Sequence, residues 1–446
     1  MRETRTVQSS IFDFYSKHDH GALLEALSDR LDLHPDILKL LQADLIDPSL
    51  KAVGCRGLSV DSVFRCLLLK QILGISYDQL SFHLSDSQTY RTFARLSAQQ
   101  APSRAGLQSV IRKIRAQTLQ AVHEKLCMQW HEQQLFQHDY IRIDSTVVES
   151  HIAPPSDSRL LDDSVRVLSR YLATCHRYTG YKVRFTDQRK KSKRLAFAIF
   201  YAKAAEKEVL YPQLLSCVGV ILKQIDRTLA QLSNGSYDNE PSLRWIAEVE
   251  HYRGLLLRVV DQTQQRVYEK KIVPAEQKVV SIFEEHTDII VKGSRDVQYG
   301  HKVNLATDRQ GLITYFEILE GNPGDKALYL PVLNSHQALF AELPHTTIAD
   351  GGYASPANAS TARAAGVTRS AFHKRAGLGF HAMGVKRKTL KTLRTFRAGI
   401  EGNISELKRA FGMSKARWKK HDGFKAFVWS SVLAYNLVRL SRISTA

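Results

Sequence analysis

The chain has 446 residues, of which 43% are hydrophobic and 24% are charged, and its formal net charge is +19. This length is enough for two or three domains, and the composition is that of an ordinary soluble globular protein. The excess of positive charge favours a polyanionic partner, most often nucleic acid. A generally basic surface without a specific partner is the alternative.

The cysteines and the apolar segments argue against several other classes of protein. The cysteines are Cys55, Cys66, Cys127, Cys175 and Cys217. None of them has C-x-x-C spacing and their number is odd, so they predict neither a disulfide framework nor a zinc site, and a cytoplasmic protein is expected. The N-terminus has no signal-peptide core. The apolar run FKAFVWSSVLAYNLVRL contains charged residues, which predicts a buried final helix instead of a membrane span.

The positive charge is concentrated at the end of the chain. Residues 361–446 contain 19 lysines and arginines but only three acids, which gives +16 of the total of +19. No acid at all occurs between residues 361 and 400. A segment of one sign that also has periodic apolar residues indicates a folded surface facing phosphates.

In chain order, residues 1–135 are predicted to be helical. LSVDSVFRCLLLKQILG has apolar residues at helical spacing and ends at Gly74, and SYDQLSFHL predicts a second, short helix. SRAGLQSVIRKIRAQTLQAVHEKLCMQWHEQ predicts one long amphipathic helix with Arg112, Lys113 and Arg115 on its polar side. The pattern fits a plain helical core and a DNA-binding helix-turn-helix equally well.

Strands are predicted after this region. DYIRIDSTVVES alternates in the period of a strand, residues 160–290 are again helical in pattern, and HKVNLATD with LITYFEILEG predicts a hairpin. HTTIADGGY predicts a short strand that ends at Asp350, VTRSAF predicts another, and a helix is predicted from about Thr389 to Phe411. Without the helical stretch, this order is that of a mixed α/β sheet domain.

Two aspartates are predicted at matching places on strands. Asp144 is expected to close the first strand, and Asp350 closes a later strand and is followed by Gly351 and Gly352, which allow close approach of the backbone. The carboxyl ends of strands in open α/β sheets are places where ligands bind. An aspartate at a strand end also caps turns, and that simpler role is the alternative for each residue.

A third acid lies on the predicted helix that contains RAGIEGNISELKR. At about 100° of turn per residue, Arg397, Glu401 and Lys408 fall within roughly 40° of one line that borders the apolar stripe. Glu406 falls on the solvent side of the same helix. The alternative is an ordinary ion pair between residues four apart, which stabilises a helix only weakly.

These three acids suit metal-dependent chemistry on DNA. Cutting or joining phosphodiesters requires a deprotonated nucleophile and a stabilised leaving oxygen, which two Mg²⁺ ions about 3.5–4 Å apart provide. Mg²⁺ binds carboxylate oxygens together with water and substrate phosphate. Carboxylates within a basic surface are therefore what such a reaction requires.

Several stretches of the chain resemble bacterial insertion-sequence transposases of the DDE class. RIDSTVVES and TTIADGGYAS are similar to the two aspartate motifs of these enzymes, and RAGIEGNISELK is similar to the glutamate motif. Arg397 and Lys408 stand four residues before and seven after Glu401, as in that motif, but Arg394 stands where a tyrosine is frequent. GHKVNLATD, GNPGDKALYLPVL and RGLSVDSVFRCLLLKQILGISYDQLSFHL resemble further parts of the family.

The resemblance implies an α/β ribonuclease-H-like mixed-sheet core with a large helical insertion, preceded by an all-α N-terminal DNA-binding domain. Residues 1–135 are expected to bind DNA ends. Residues 136–446 are expected to form the catalytic domain, interrupted by the insertion at about 155–290. The implied cofactor is two Mg²⁺ ions, for which Mn²⁺ can substitute, and the implied catalytic and metal-binding residues are Asp144, Asp350 and Glu401.

The implied reaction is cleavage at the ends of an insertion sequence followed by strand transfer into target DNA. The expected partner is double-stranded DNA, bound at terminal inverted repeats and at the target by a homodimer in the bacterial cytoplasm at the nucleoid, without a membrane. The candidate DNA contacts are Arg397, Lys408, Arg112, Lys113, Arg115, Lys302, Arg417, Lys419 and Lys420. Trp418 is expected in the core. A structure-selective nuclease on the same fold and a catalytically inactive DNA-binding relative are the alternatives.

Overall fold

A computed structural model of the chain describes residues 3–5, 14–49, 57–97, 100–135, 137–235, 237, 239–292 and 296–443. The chain forms two compact units. One contains residues 1–151 together with 290–446, and the other contains residues 152–289. None of the helices in these described ranges is both long and apolar enough to cross a membrane.

The N-terminal region is helical, as the sequence predicts. Its described helices are α1 (Asp19–Asp32), α2 (Ile37–Leu45), α3 (Val60–Leu73), α4 (Tyr77–Asp86), α5 (Gln88–Ala94), α6 (Arg104–Ile111) and α7 (Ala116–Glu132). Helix α3 ends at Gly74, which has φ 64°, a left-handed conformation that glycine adopts without steric cost. Helix α4 begins with a capping box between Ser76 and Gln79.

The prediction of one long helix over SRAGLQSVIRKIRAQTLQAVHEKLCMQWHEQ is wrong, because the structure has two helices there, α6 and α7. Arg115 has an extended backbone between them, with φ −79° and ψ 155°. Its backbone N–H donates to the Asp44 carboxylate at 2.8 Å, and its Nε contacts the other oxygen of Asp44 at 2.5 Å. A contact with a residue distant in sequence therefore replaces the helical hydrogen bonds at this point.

Residues 152–289 form the helical unit. Its described α-helices are α8 (Asp157–Thr179), α9 (Arg189–Tyr201), α10 (Ala204–Ser233) and α11 (Glu240–Thr263), and a π-helical turn (Gln264–Tyr268) follows. The unit has an apolar core of its own, which includes Leu161, Leu214 and Leu256. The helices predicted for this stretch are confirmed.

The rest of the chain forms a sheet and its flanking helices. The described strands are β1 (Tyr140–Ser150), β2 (Asp288–Lys292), β3 (Asp296–Thr307), β4 (Ile313–Ile318), β5 (Thr346–Ala349), β6 (Arg369–Phe372) and β7 (Lys415–Ala416). The described helices are α12 (Tyr329–Phe340), α13 (Pro356–Ala364), α14 (Arg387–Ala410) and α15 (His421–Ile443). The strand order is β2-β3-β1-β5-β6, with β4 beside β3 and β7 beside β1.

The sheet is mixed, as predicted. β1 is antiparallel to β3 and parallel to β5, and β5 is parallel to β6. The predicted hairpin is confirmed as β3 and β4, and Gly311 in its turn has φ 85°. A mixed sheet with flanking helices is compatible with a ribonuclease-H-like core.

Helix α15 is the buried final helix that the sequence predicts. Its apolar residues share one core with helices α1–α7 and with one face of the sheet. Asn436 on α15 accepts a hydrogen bond from the backbone N–H of Ile313 and donates one to its carbonyl, each at 2.8 Å. Residues 1–135 therefore lie in the same compact unit as the sheet and share its core.

The hairpin turn contains a buried carboxyl group whose ionisation depends on folding. Asp308 is fully buried and accepts hydrogen bonds from the backbone N–H groups of Leu312 at 2.8 Å and Gln137 at 3.3 Å. Burial raises its pKa to about 6, although these hydrogen bonds act in the opposite direction. The folded protein therefore holds this proton more tightly than an unfolded chain does.

The stabilisation that comes from this proton should be present below pH 4 and lost as the pH rises through about 6, because the folded pKa lies above the unfolded one. In urea unfolding followed by tryptophan fluorescence, we expect the stability of the wild type relative to Asp308→Asn to fall between about pH 4 and 6.5. The expected fall is about 2–3 kcal/mol. A difference that stays constant or grows over this range would contradict the raised pKa.

Candidate active site

Asp144 and Asp350 lie beside each other on two parallel strands. The parallel pairing of β1 with β5 ends at Ile143 opposite Ala349, so the two aspartates follow the last pair on each strand. β5 ends before Asp350 as predicted. The expectation that Asp144 closes its strand is wrong, because β1 stays paired with the antiparallel strand β3 for several more residues.

The two glycines after Asp350 allow the close approach that the sequence predicts. A Cβ atom on Gly351 would lie 2.7 Å from the Cβ of Lys374. A Cβ on Gly352 would lie 2.5 Å from an Asp325 carboxylate oxygen. Side chains at these two positions would therefore displace the loop that carries Asp350.

Glu401 is brought to the aspartates by α14, and one arginine contacts all three acids. The Nη2 atom of Arg397 lies 3.0 Å from Asp144 Oδ2 and 3.3 Å from Asp350 Oδ1, and its Nη1 lies 3.0 Å from Glu401 Oε1. The side chain of Arg397 is 10% exposed, whereas those of Asp144, Asp350 and Glu401 are 16%, 42% and 65% exposed. The cluster is therefore closed on the side of the guanidinium and open on the side of the acids.

Helix α14 is fixed to β1 by a second arginine. Arg142 and Asp144 are two residues apart on a strand, so their side chains point to the same face of the sheet. Arg142 donates to Thr307 Oγ1 at 2.9 Å, to the Phe396 carbonyl at 3.0 Å and to Asn403 Oδ1 at 2.7 Å. We call these three hydrogen bonds the Arg142 bridge. The bonds to Phe396 and Asn403 hold the helix that carries Glu401 against the strand that carries Asp144, and the bond to Thr307 joins that strand to β3.

Gly399 is the position on α14 where this approach is closest. A Cβ atom at Gly399 would lie 2.0 Å from Nη1 of Arg142, inside the guanidinium of the bridge. At Gly402 on the same helix, no described atom outside the neighbouring helix backbone lies within 4 Å of such a Cβ. Close packing therefore requires glycine at position 399 but not at position 402, although both are glycines in the middle of the same helix.

Two other charged residues of α14 have different surroundings. Lys408 is partly buried. Glu406, which the sequence places on the solvent side, is partly buried and forms ion pairs with Arg442 at 2.9 Å and Arg439 at 3.6 Å. Glu406 therefore joins α14 to α15 and does not face the three-acid cluster.

Lys302 is not available for the DNA contact predicted from the sequence. Its side chain is 9% exposed, and its Nζ donates to the Pro323 carbonyl at 2.8 Å and pairs with Asp325 at 2.6 Å. Asp325 also accepts a hydrogen bond from Ser145 Oγ at 3.3 Å, beside Asp144. Burial raises the pKa of the nearby Tyr353, and neighbouring carboxylates raise it further, so its phenol stays a hydrogen-bond donor.

Predicted DNA contacts from two distant parts of the chain meet where Arg112 contacts Lys419. Arg112, Lys113 and Arg115 are exposed at the break between α6 and α7, and Nη2 of Arg112 donates to the Lys419 carbonyl at 3.3 Å. Arg115 is paired with Asp44. The break places these three residues around a bend, not along one helical side as expected.

The segment after β7 carries the other predicted contacts in this region. Arg417, Lys419 and Lys420 are exposed, whereas Trp418 between them is 8% exposed and stacks on Tyr77. The expected core position of Trp418 is confirmed. The buried Trp418 anchors this segment, and its neighbours Arg417 and Lys419 therefore stay at the surface.

The three acids fit divalent metal ions. Together they offer six carboxylate oxygens, the ligand type that Mg²⁺ and Mn²⁺ prefer. Among the described residues, the buried Nε of Arg397 has no hydrogen-bond partner, so this guanidinium is held chiefly by the acids. A hard cation placed among the same oxygens would take over its charge compensation.

Three residues that support the three-acid cluster were not predicted from the sequence. Arg142 lies on the same face of β1 as Asp144, and the alternation of side chains along a strand could have predicted this. Gly399 lies in the middle of a helix, where glycine lowers helix stability by about 1 kcal/mol relative to alanine. Its presence there therefore indicates a close packing contact. Asn403 lies on the buried side of α14, where an amide needs a partner.

The paired glycines of α14 provide a test of the Arg142 bridge. Gly399→Ala should destabilise the protein by about 2–4 kcal/mol, because Arg142 must leave its buried hydrogen bonds. Gly402→Ala should stabilise it by about 0.5–1 kcal/mol, as alanine does at an open helix position. Urea unfolding of both variants measures these values. Equal effects of the two substitutions would show that the close approach at Gly399 has no energetic weight.

Comparison with known proteins found a family match for part of the chain. Residues 252–437 match the family model described as the transposase DDE domain, a range that includes Asp350, Arg397 and Glu401. Asp144 precedes the matched range. No curated protein and no solved structure matches the chain significantly. Residues 252–437 are thus similar to the transposase DDE domain, which supports a DDE transposase.

Proposed function

We propose that this protein cuts DNA at the ends of an insertion sequence and transfers the cut strand into target DNA. The observation that carries the proposal is the convergence of Asp144, Asp350 and Glu401 on the Arg397 guanidinium. The net charge of +19 and the matched transposase DDE domain support the same substrate and reaction class. Phosphoryl transfer on a polyanion requires carboxylates inside a basic surface.

In this proposal, Asp144, Asp350 and Glu401 hold two Mg²⁺ ions, for which Mn²⁺ can substitute. The ions, when bound, stabilise the attacking and leaving oxygens of an in-line displacement. The nucleophile is water in the cutting step and the new 3′-OH in the joining step, so no covalent protein intermediate forms. Arg397 offsets the repulsion among the acids. Where bound ions would take over that charge compensation, Arg397 would contact phosphates near the scissile bond together with Lys408.

The DNA path is proposed from the exposed cations around the site. The helical segment 1–135 binds the terminal inverted repeat, and the helical segment at about 155–290 interrupts the catalytic part of residues 136–446. The proposed contacts are Arg112, Lys113, Arg115, Arg417, Lys419 and Lys420; Lys302 is excluded because its ammonium is buried. Two DNA ends must come together, so a homodimer on DNA is expected, acting at the nucleoid of a bacterial cell.

The direct test is an end-cleavage assay with Asp144→Asn, Asp350→Asn and Glu401→Gln. Each should lower Mg²⁺-dependent cutting by about 10³-fold or more, because each removes a charged ligand worth several kcal/mol of transition-state stabilisation. Glu406→Gln is the matched control on the same helix and should keep cutting within about threefold. Near-normal cutting by any of the three variants would remove that residue from the site.

The same variants separate the alternatives. Binding of end DNA should survive in all three and should weaken steeply with salt, because phosphate contacts dominate it. Cutting without joining to target DNA would favour a structure-selective nuclease. A wild-type protein that binds end DNA but does not cut it in Mg²⁺ or Mn²⁺ would be an inactive relative.

Arg397 can be tested apart from the acids. Arg397→Gln should increase the rise in melting temperature that Mg²⁺ causes, because cations no longer compete with the guanidinium for the carboxylates. It should also lower cutting at least about tenfold. Arg394→Gln is the control on α14, since Arg394 is exposed and donates to the His373 carbonyl. The same Mg²⁺ effect in wild type and Arg397→Gln would contradict the role of Arg397 as an internal counterion.

A further inference from the structure

Two histidines and a glutamate form a cluster that the proposed reaction does not use. His131 lies in the last turn of α7, His138 lies two residues before β1, and Glu342 follows the end of α12. Each offers one ligand atom, and these three atoms lie within 4.8 Å of one another. We propose that this cluster is a binding site for a transition-metal ion of the Zn²⁺ type.

The separations suit a small metal ion. Zn²⁺ binds imidazole nitrogen and carboxylate oxygen at about 2.0–2.2 Å, so ligand atoms around a tetrahedral ion lie about 3.3–3.5 Å apart. His138 Nε2 and Glu342 Oε2 are 3.6 Å apart. This pair is already close to the spacing of two ligands around one ion, and the ligand atom of His131 lies within 4.8 Å of both.

The two imidazoles are held by aromatic contacts. The rings of His131 and His138 are 4.5 Å apart, edge to face, and each lies against Phe340, at 5.2 Å and 4.9 Å. His138 is buried. Burial lowers its pKa, and the neighbouring His131 lowers it further, which favours the neutral imidazole that binds metals.

A third histidine nearby is excluded from the ligand set. His336 stacks on His138 at 6.4 Å, but its Nδ1 is bonded to the Val332 carbonyl at 2.8 Å and its Nε2 to Thr314 Oγ1 at 3.0 Å. Both ring nitrogens of His336 are therefore occupied. The ligand set is two histidines and one carboxylate, which leaves a fourth position for water.

The chemistry of this set differs from that of the three-acid cluster. Imidazole ligands suit Zn²⁺, Cu²⁺ and Ni²⁺, whereas a set made of carboxylates suits Mg²⁺ and Mn²⁺. An ion at this place would join the end of α7, the start of β1 and the segment after α12. It would hold in place the residues just before the strand that carries Asp144, so its expected role is structural.

The test measures Zn²⁺ binding by the full-length chain with Asp144→Asn, Asp350→Asn and Glu401→Gln already in place, so that the acids of the first site contribute little. Glu342→Gln and His131→Gln, each added to this background, should bind one equivalent of Zn²⁺ fewer, or bind it at least about tenfold more weakly. Glu132→Gln, an exposed glutamate beside His131, is the matched control and should bind like the background protein.

Thermal melting adds a second readout that does not depend on activity. Zn²⁺ should raise the melting temperature of the background protein and of Glu132→Gln more than that of Glu342→Gln. Glu342 is exposed, so its substitution leaves the fold intact and keeps the comparison meaningful. Equal stoichiometry, affinity and thermal shift in Glu342→Gln, His131→Gln and the background protein would overturn the proposal, whatever the outcome of the cleavage assays.

Discussion

The contact of one guanidinium with three carboxylates is the interaction on which the candidate active site depends. Three acids that face one another repel, and bringing them together without a cation would cost folding free energy. Arg397 supplies that cation from the helix that also carries Glu401. The arrangement of the acids is thus maintained by the chain itself, and it is open to solvent on the side where Asp350 and Glu401 lie.

This contact requires α14 to lie close to β1, and that requirement explains several residues at once. The Arg142 bridge ends on Asn403, whose Nδ2 donates to the Tyr435 hydroxyl at 2.8 Å. Tyr435 in turn donates to the carbonyl of Gly311 at 2.8 Å. A chain of hydrogen bonds therefore links the strand of Asp144 to α14, to the buried helix α15 and to the hairpin turn. Gly399 supplies the space that the first link needs.

Sequence patterns predicted the parts of this arrangement that local periodicity controls. The alternation in HKVNLATD predicted the hairpin, and the glycine pair after Asp350 predicted the end of β5. The apolar stripe of α14 predicted that Glu401 lies beside the core. The break at Arg115 was not predictable in this way, because it depends on Asp44, some 70 residues away. The length of β1 depends likewise on its pairing with β3.

Side-chain partners explain where the sequence misjudged charge. A positive residue before an acidic motif predicts phosphate binding only if its charge is not already used within the fold. Lys302 is held by Asp325 and by the Pro323 carbonyl, so its charge is already used within the fold and is not available for the predicted phosphate contact.

Net charge therefore identifies the class of partner, whereas burial decides which cations can reach it. The exposed cations Arg112 and Lys419 are 307 residues apart in the sequence and are brought together because α15 packs against the N-terminal helices. A surface built in this way links the proposed DNA contact to the integrity of the shared core. Loss of packing between α15 and α7 would then disturb the exposed cations and also Tyr435, which connects Asn403 of the Arg142 bridge to the hairpin turn.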